Sequence, residues 1–163
     1  EPGKGTAVEL YFPVFDENAS LSAYSVNGDA QGSETAEPRV MVVIDDSNLL
    51  DVTERMLKKI GYRVDAFKEG NSALEAYKKA RKEAQFFAVV IVDVTVNKEA
   101  GGRDFFHQLQ RFDPQVKAIA ISGYLDSSAI AELTREGFLD ILMKPYRLIE
   151  LEEVLAKIIN GSH

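Results

Sequence analysis

From Arg39 onward the chain alternates short apolar runs with stretches whose apolar residues recur at helical spacing. Val40–Ile44 is all apolar, as expected of a strand buried on both faces. Arg63–Phe67, Phe87–Val92, Val116–Ile121 and Phe138–Met143 read as four more strands. Between them lie helical patterns. Ser47 can cap the first, which carries Leu49, Leu50, Val52, Met56, Leu57 and Ile60 and ends at Gly61. Ser72–Lys82 is amphipathic, Phe105–Phe112 is terminated by Pro114, Ser127–Glu136 is stopped by Gly137, and Leu148–Ile159 closes the series. Strict strand–helix alternation predicts an α/β fold: a doubly wound, five-stranded parallel sheet joined by right-handed crossovers, with helices on both faces. In such sheets ligands meet the carboxyl ends of the strands near the switch in strand order.

The first part of the chain has another character. Thr6–Phe12 alternates like a strand and stops at Pro13, so residues 1–15 are expected to be the remnant of a preceding domain. Residues 16–37, rich in Asn, Ser, Gly, Asp and Glu, read as a linker, residues 38–160 as the domain, and 161–163 as a tail. The start at Glu1 points to a piece of a longer protein. The 163 residues carry a formal net charge of −7, which speaks against nucleic acid and anionic membrane as partners. There are no cysteines, so disulfides and thiolate chemistry are excluded, and a cytoplasmic setting is expected. An oligomer is possible through a strand edge at residues 6–12.

The residues that follow the strands carry the chemistry. Asp45 and Asp46 follow the first strand, Asp93 the third, Ser122 and Gly123 the fourth, Lys144 and Pro145 the fifth. Taken singly, each reads more simply as a turn or a cap. In this order, after these strands, they converge on one edge of the predicted sheet. Three carboxylates there repel one another unless a cation neutralises them, and oxygen-only donors suit Mg²⁺. Asp46 and Asp93 are the candidate direct ligands, Asp45 acts through water, and the Thr95 carbonyl completes the protein set. Asp93 can then attack phosphorus and become an aspartyl phosphate, with Lys144 and the Ser122 hydroxyl holding phosphoryl oxygens. His107 stands without a Cys or second His nearby and reads as structural or solvent-facing, and the pairs Phe86-Phe87 and Phe105-Phe106 read as core. Arg81-Lys82-Glu83 reads as a solvated helix end.

Val42-Val43-Ile44-Asp45-Asp46, Val92-Asp93-Val94-Thr95, Ser122-Gly123-Tyr124 and Lys144-Pro145 together resemble the response-regulator receiver domain. The resemblance covers about residues 38–160. It implies a flavodoxin-like (βα)5 fold with strand order 2-1-3-4-5 and Mg²⁺-dependent phosphoryl transfer from the phosphohistidine of a histidine kinase or histidine phosphotransfer protein to Asp93. It also implies a switching partner surface near residues 123–143 and a cis peptide before Pro145. Gly3–Pro13 is similar to the last glycine box and closing strand of a histidine-kinase ATP-binding domain, which implies a hybrid sensor histidine kinase as the parent chain. In that case the domain is a self-phosphorylating acceptor and the parent is the phosphotransferase. Two positions depart from the family pattern: Ile141 replaces the frequent aromatic residue, and the loop Val96–Ala100 lacks the common proline.

Other readings bear on the same residues. A non-phosphorylated receiver-like interaction module would bind its partner regardless of phosphate or Mg²⁺. A flavin-binding domain would place a phosphate-binding loop where Asp45-Asp46 would repel the cofactor. An aspartate-nucleophile phosphatase would need a second carboxylate two residues after Asp93, where Thr95 stands.

Overall fold

The computed structural model describes residues 37–94, 101–123 and 126–161. The chain runs β1 (Arg39–Val43), α1 (Ser47–Lys59), β2 (Arg63–Phe67), α2 (Gly70–Lys82), β3 (Val89–Asp93), α3 (Gly102–Phe112), β4 (Ala118–Ser122), α4 (Ser127–Glu136), β5 (Asp140–Met143) and α5 (Leu148–Ile159). The strands form one parallel sheet in the order β2-β1-β3-β4-β5, the expected doubly wound, flavodoxin-like receiver topology.

The two faces of the sheet follow from side-chain alternation. Val40, Val42, Ile91, Ile119 and Ile121 point one way and pack with Leu50 and Leu57 of α1 and Leu151, Leu155 and Ile158 of α5. Met41, Val43, Val90, Val92, Ala118 and Ala120 point the other way. They meet Ala73, Leu74 and Tyr77 of α2, Phe105, Phe106 and Leu109 of α3, and Leu133 of α4. Each large aliphatic side chain removed fully from water contributes about 1.5–3 kcal/mol, and β3 and β4 are buried at every position.

Three elements agree with the sequence-based expectation to the residue: β2, α4 and α5. Elsewhere the ends shift by up to three residues. β1 begins at Arg39, although Ile44 still donates to the Phe67 carbonyl at 3.0 Å. β3 and β4 begin two residues later than expected and include Asp93 and Ser122, while α3 begins three residues earlier, at Gly102. The cap of α1 is Asp46 rather than Ser47: its carboxylate accepts the Leu49 amide at 2.8 Å. Gly137 ends α4 in the left-handed region at φ 111°, where a side chain would be strained. Phe86 is not core; it is 56 % exposed and lies beneath the Arg81 guanidinium at 5.1 Å. Arg81 also pairs with the buried Asp113 at 3.4 Å, so this helix end is only partly solvated. The expected strand Thr6–Phe12, the linker over 16–36, Thr95, Tyr124 and the end of the tail lie outside the described residues.

Candidate functional site

The register of the sheet assembles the site like a staircase. Val43 pairs with Val92, Asp93 pairs with Ile121, and Ser122 pairs with Met143. Asp93, Ser122 and Lys144 are thus the terminal residues, or the next ones, on three neighbouring strands. Backbone bonds continue past the strand ends: Val94 donates to the Ile121 carbonyl and Lys144 to the Ser122 carbonyl, both at 2.8 Å. Asp45 and Asp46 leave β1 beside β3, at the same rim.

Asp93 is the centre. Its side chain is 4 % exposed, and its Oδ2 accepts from the Lys144 ammonium at 2.6 Å across 51 residues of sequence. A buried carboxylate is costly unless its charge is compensated, and a charge-assisted bond of this length is the stronger kind. Ser122 is buried on the next strand. Asp45 and Asp46 are exposed at the rim. The peptide between Lys144 and Pro145 is cis, as the resemblance implied.

Other residues that shape the site are not evident from local sequence patterns. Gly102 opens α3 so close to β3 that a Cβ there would sit 2.1 Å from the Asp93 carbonyl oxygen and 2.6 Å from Val92 Cγ1. Tyr146, directly after the Lys-Pro pair, is buried, and its hydroxyl is hydrogen-bonded to that of Thr53 of α1 at 2.5 Å. Burial, with the Asp93 charge adding to it, raises the Tyr146 phenol above its ordinary range. A threonine on the apolar stripe of α1 was the available signal for that bond. Ile141 packs partly buried against the core. His107, 43 % exposed at its side chain, faces Glu136 at 3.4 Å.

The donors at the rim are carboxylate oxygens, one buried and two exposed, and this chemistry suits a hard cation. Among the described residues no group of three His, Asp or Glu side chains is placed to hold a metal ion. Asp93 with the exposed Asp45 and Asp46 offers oxygen-only side chains, a donor set that would fit Mg²⁺ and leave places for water and phosphate. No helix among the described residues is long and apolar enough to cross a membrane.

Comparison with known proteins is consistent with this geometry. A family model described as "Response regulator receiver domain" matches residues 40–156. The chain is 26 % identical over 121 residues to the chemotaxis protein CheY of Thermotoga maritima, covering 74 % of this chain and 96 % of CheY. It is 26 % identical over 156 residues to the sensor kinase CckA of Brucella abortus, covering 93 % of this chain and 16 % of CckA. The chain spans only 16–27 % of the length of several longer curated relatives. Among solved structures, the CheX-CheY-BeF3-Mg+2 complex from Borrelia burgdorferi is similar at a TM-score of 0.67 and 16 % identity, over 74 % of this chain and 88 % of that one.

Proposed function

Since the chain belongs to the response regulator receiver domain family of two-component systems, we propose that it accepts a phosphoryl group from a phosphohistidine onto Asp93. The observation that carries the reading is the Lys144 ammonium, held 2.6 Å from a carboxylate that is otherwise withdrawn from water at the rim of the sheet. In the transfer, an Asp93 oxygen forms a bond to phosphorus as the bond from phosphorus to the donor imidazole nitrogen breaks. The electron pair of that bond returns to the ring, which takes a proton from solvent. Phosphoryl transfer asks mainly for positioning and charge neutralisation. Lys144 supplies a fixed positive charge beside the entering phosphoryl oxygens, and Ser122, one strand over, supplies a hydroxyl. Mg²⁺, when bound by Asp46 and Asp93, with Asp45 through water and the Thr95 carbonyl, would neutralise the charge shared between carboxylates and phosphate. The donor is a histidine kinase or a histidine phosphotransfer protein. The added charge, about −2, then draws on Lys144 and Ser122 and shifts the surface around α4 and β5.

We further propose that the parent is a hybrid sensor histidine kinase. Residues 37–163 make up less than four-fifths of the chain, so a match over 93 % of it to a sensor kinase necessarily runs into residues 1–36. The resemblance of Gly3–Pro13 to the close of a kinase ATP-binding domain points the same way.

The test is incubation with a small phosphoryl donor, with and without Mg²⁺. Phosphate incorporation should require the metal, disappear in Asp93→Asn, and yield a product labile to hydroxylamine and base, as an acyl phosphate is. Full incorporation by Asp93→Asn would falsify the assignment.

A further inference from the structure

A chain of hydrogen bonds joins the acidic and the basic halves of the site through the first turns of α1. Asp46 accepts the Leu49 amide at 2.8 Å. The carbonyl of the same Leu49 accepts the Thr53 hydroxyl at 2.7 Å. Thr53 has one hydroxyl proton and spends it there, so the 2.5 Å contact between Thr53 and Tyr146 is made by the phenol donating. Tyr146 is two residues beyond Lys144, whose ammonium reaches Asp93 at 2.6 Å. Thr53 is fully buried and Tyr146 nearly so, which keeps water from substituting for the bond.

We infer that Tyr146 and Thr53 are positioning residues for the proposed phosphoryl transfer: their bond fixes the loop after β5 against α1 and thereby holds Lys144 over Asp93. The inference rests on the phosphoacceptor reading only for its role in transfer; the positioning itself is a property of the unphosphorylated chain. Apolar burial alone is non-directional. The Tyr146 ring packs in the cluster that includes Leu50, Leu57 and Leu151, and such contacts tolerate small rotations and slides. The phenol-to-hydroxyl bond removes that freedom. The same helix also presents Asp46 through its cap, so one rigid element sets the relative places of the candidate metal carboxylate and the ammonium. Reacting groups held this way lose little order on the way to the transition state, whereas small misplacements cost rate.

The test compares Tyr146→Phe, Thr53→Val and Thr53→Ser with the unaltered chain, each first shown to be folded by near-ultraviolet circular dichroism. The first readout is hydrogen exchange at the Lys144 ammonium, followed by NMR on ¹⁵N-lysine-labelled protein without any phosphoryl donor. Exchange should quicken about three- to tenfold in Tyr146→Phe and Thr53→Val, the worth of one net hydrogen bond, and stay at the original rate in Thr53→Ser, which keeps the acceptor. Unaltered exchange in Tyr146→Phe overturns the inference. The second readout is phosphorylation by a small donor with Mg²⁺, where the same pattern is expected. Tyr146→Phe should have no further effect once Lys144 is replaced by alanine, because its influence runs through that ammonium. Equal losses in both backgrounds overturn the positioning role. If no form incorporates phosphate while exchange follows the expected pattern, the positioning stands and the phosphoacceptor reading falls.

Discussion

Removing either member of the Lys144–Asp93 pair has a different physical consequence. Without Asp93, the lysine side chain, 25 % exposed, can turn to water. Without Lys144, a carboxylate 4 % exposed loses a charged donor it cannot replace with bulk solvent. Lys144→Ala is therefore expected to slow phosphorylation by about ten- to a hundredfold, the worth of a charge-assisted hydrogen bond, measured as initial rates with a small donor. Gly102→Ala tests a different dependence. Its new Cβ would meet the Asp93 carbonyl oxygen at 2.1 Å, and backbone cannot yield as a flexible side chain can. A loss of about 1–3 kcal/mol in urea unfolding is expected, together with slower phosphorylation, because α3 must back away from the residue it braces. The polar residues of the candidate site were legible in the sequence because they stand where apolar runs end: Asp45 and Asp46, Asp93, Ser122 and Lys144 announce themselves as polar punctuation. Gly102 and the Thr53–Tyr146 bond were not. One depends on the approach of two backbones, the other joins residues 93 positions apart, and no local pattern encodes either distance.

Among the helices, α4 is the one least held by the core. Leu133 is its only buried residue. Polar contacts from α3 hold its last turn instead. Arg103 reaches Glu136 at 2.7 Å and Glu132 at 3.2 Å, and the Gln110 amide donates to the Glu136 carbonyl at 3.0 Å. Arg103→Met should therefore loosen α4 selectively. Amide hydrogen exchange over residues 127–136 is expected to rise about tenfold while β3 and β4 stay protected, since a partly buried ion pair is worth about 1 kcal/mol or somewhat more. Unaltered protection in α4 would show that Leu133 alone suffices. At this scale the sequence was informative where a stop signal is chemical. Gly137 and the apolar period marked α4, and β2 and α5 were equally well bounded. It was less informative where an end depends on a neighbour. β3 and β4 reach one residue further because Asp93 and Ser122 find partners on adjacent strands, and α1 takes its cap from Asp46 because that carboxylate can reach the Leu49 amide.

For the whole molecule, the tyrosines set the response to alkali. Burial raises the phenols of Tyr62, Tyr77 and Tyr146 above their ordinary 10.0, with the Tyr77 bond to Asp113 adding to its rise. A raised phenol stays neutral in the folded chain while the unfolded chain ionises. Its contribution to stability is complete below pH 10 and fades as pH climbs beyond that. Urea unfolding between pH 9 and 11.5, on the order of the tyrosine range, should show stability falling with pH, and Tyr77→Phe should flatten the decline while lowering the plateau below it. The parallel arrangement of strands carries one more consequence. Among the described residues, the groups proposed for phosphoryl transfer hang from the rim where the strands finish, while the turns at Gly61, Ala84 and Gly137 belong to the rim where they begin. The molecule thus has a working end and a handle. A fluorophore or a grafted peptide fastened at Ala84 travels with the domain while standing a full sheet's length from Asp93, the proposed phosphoacceptor.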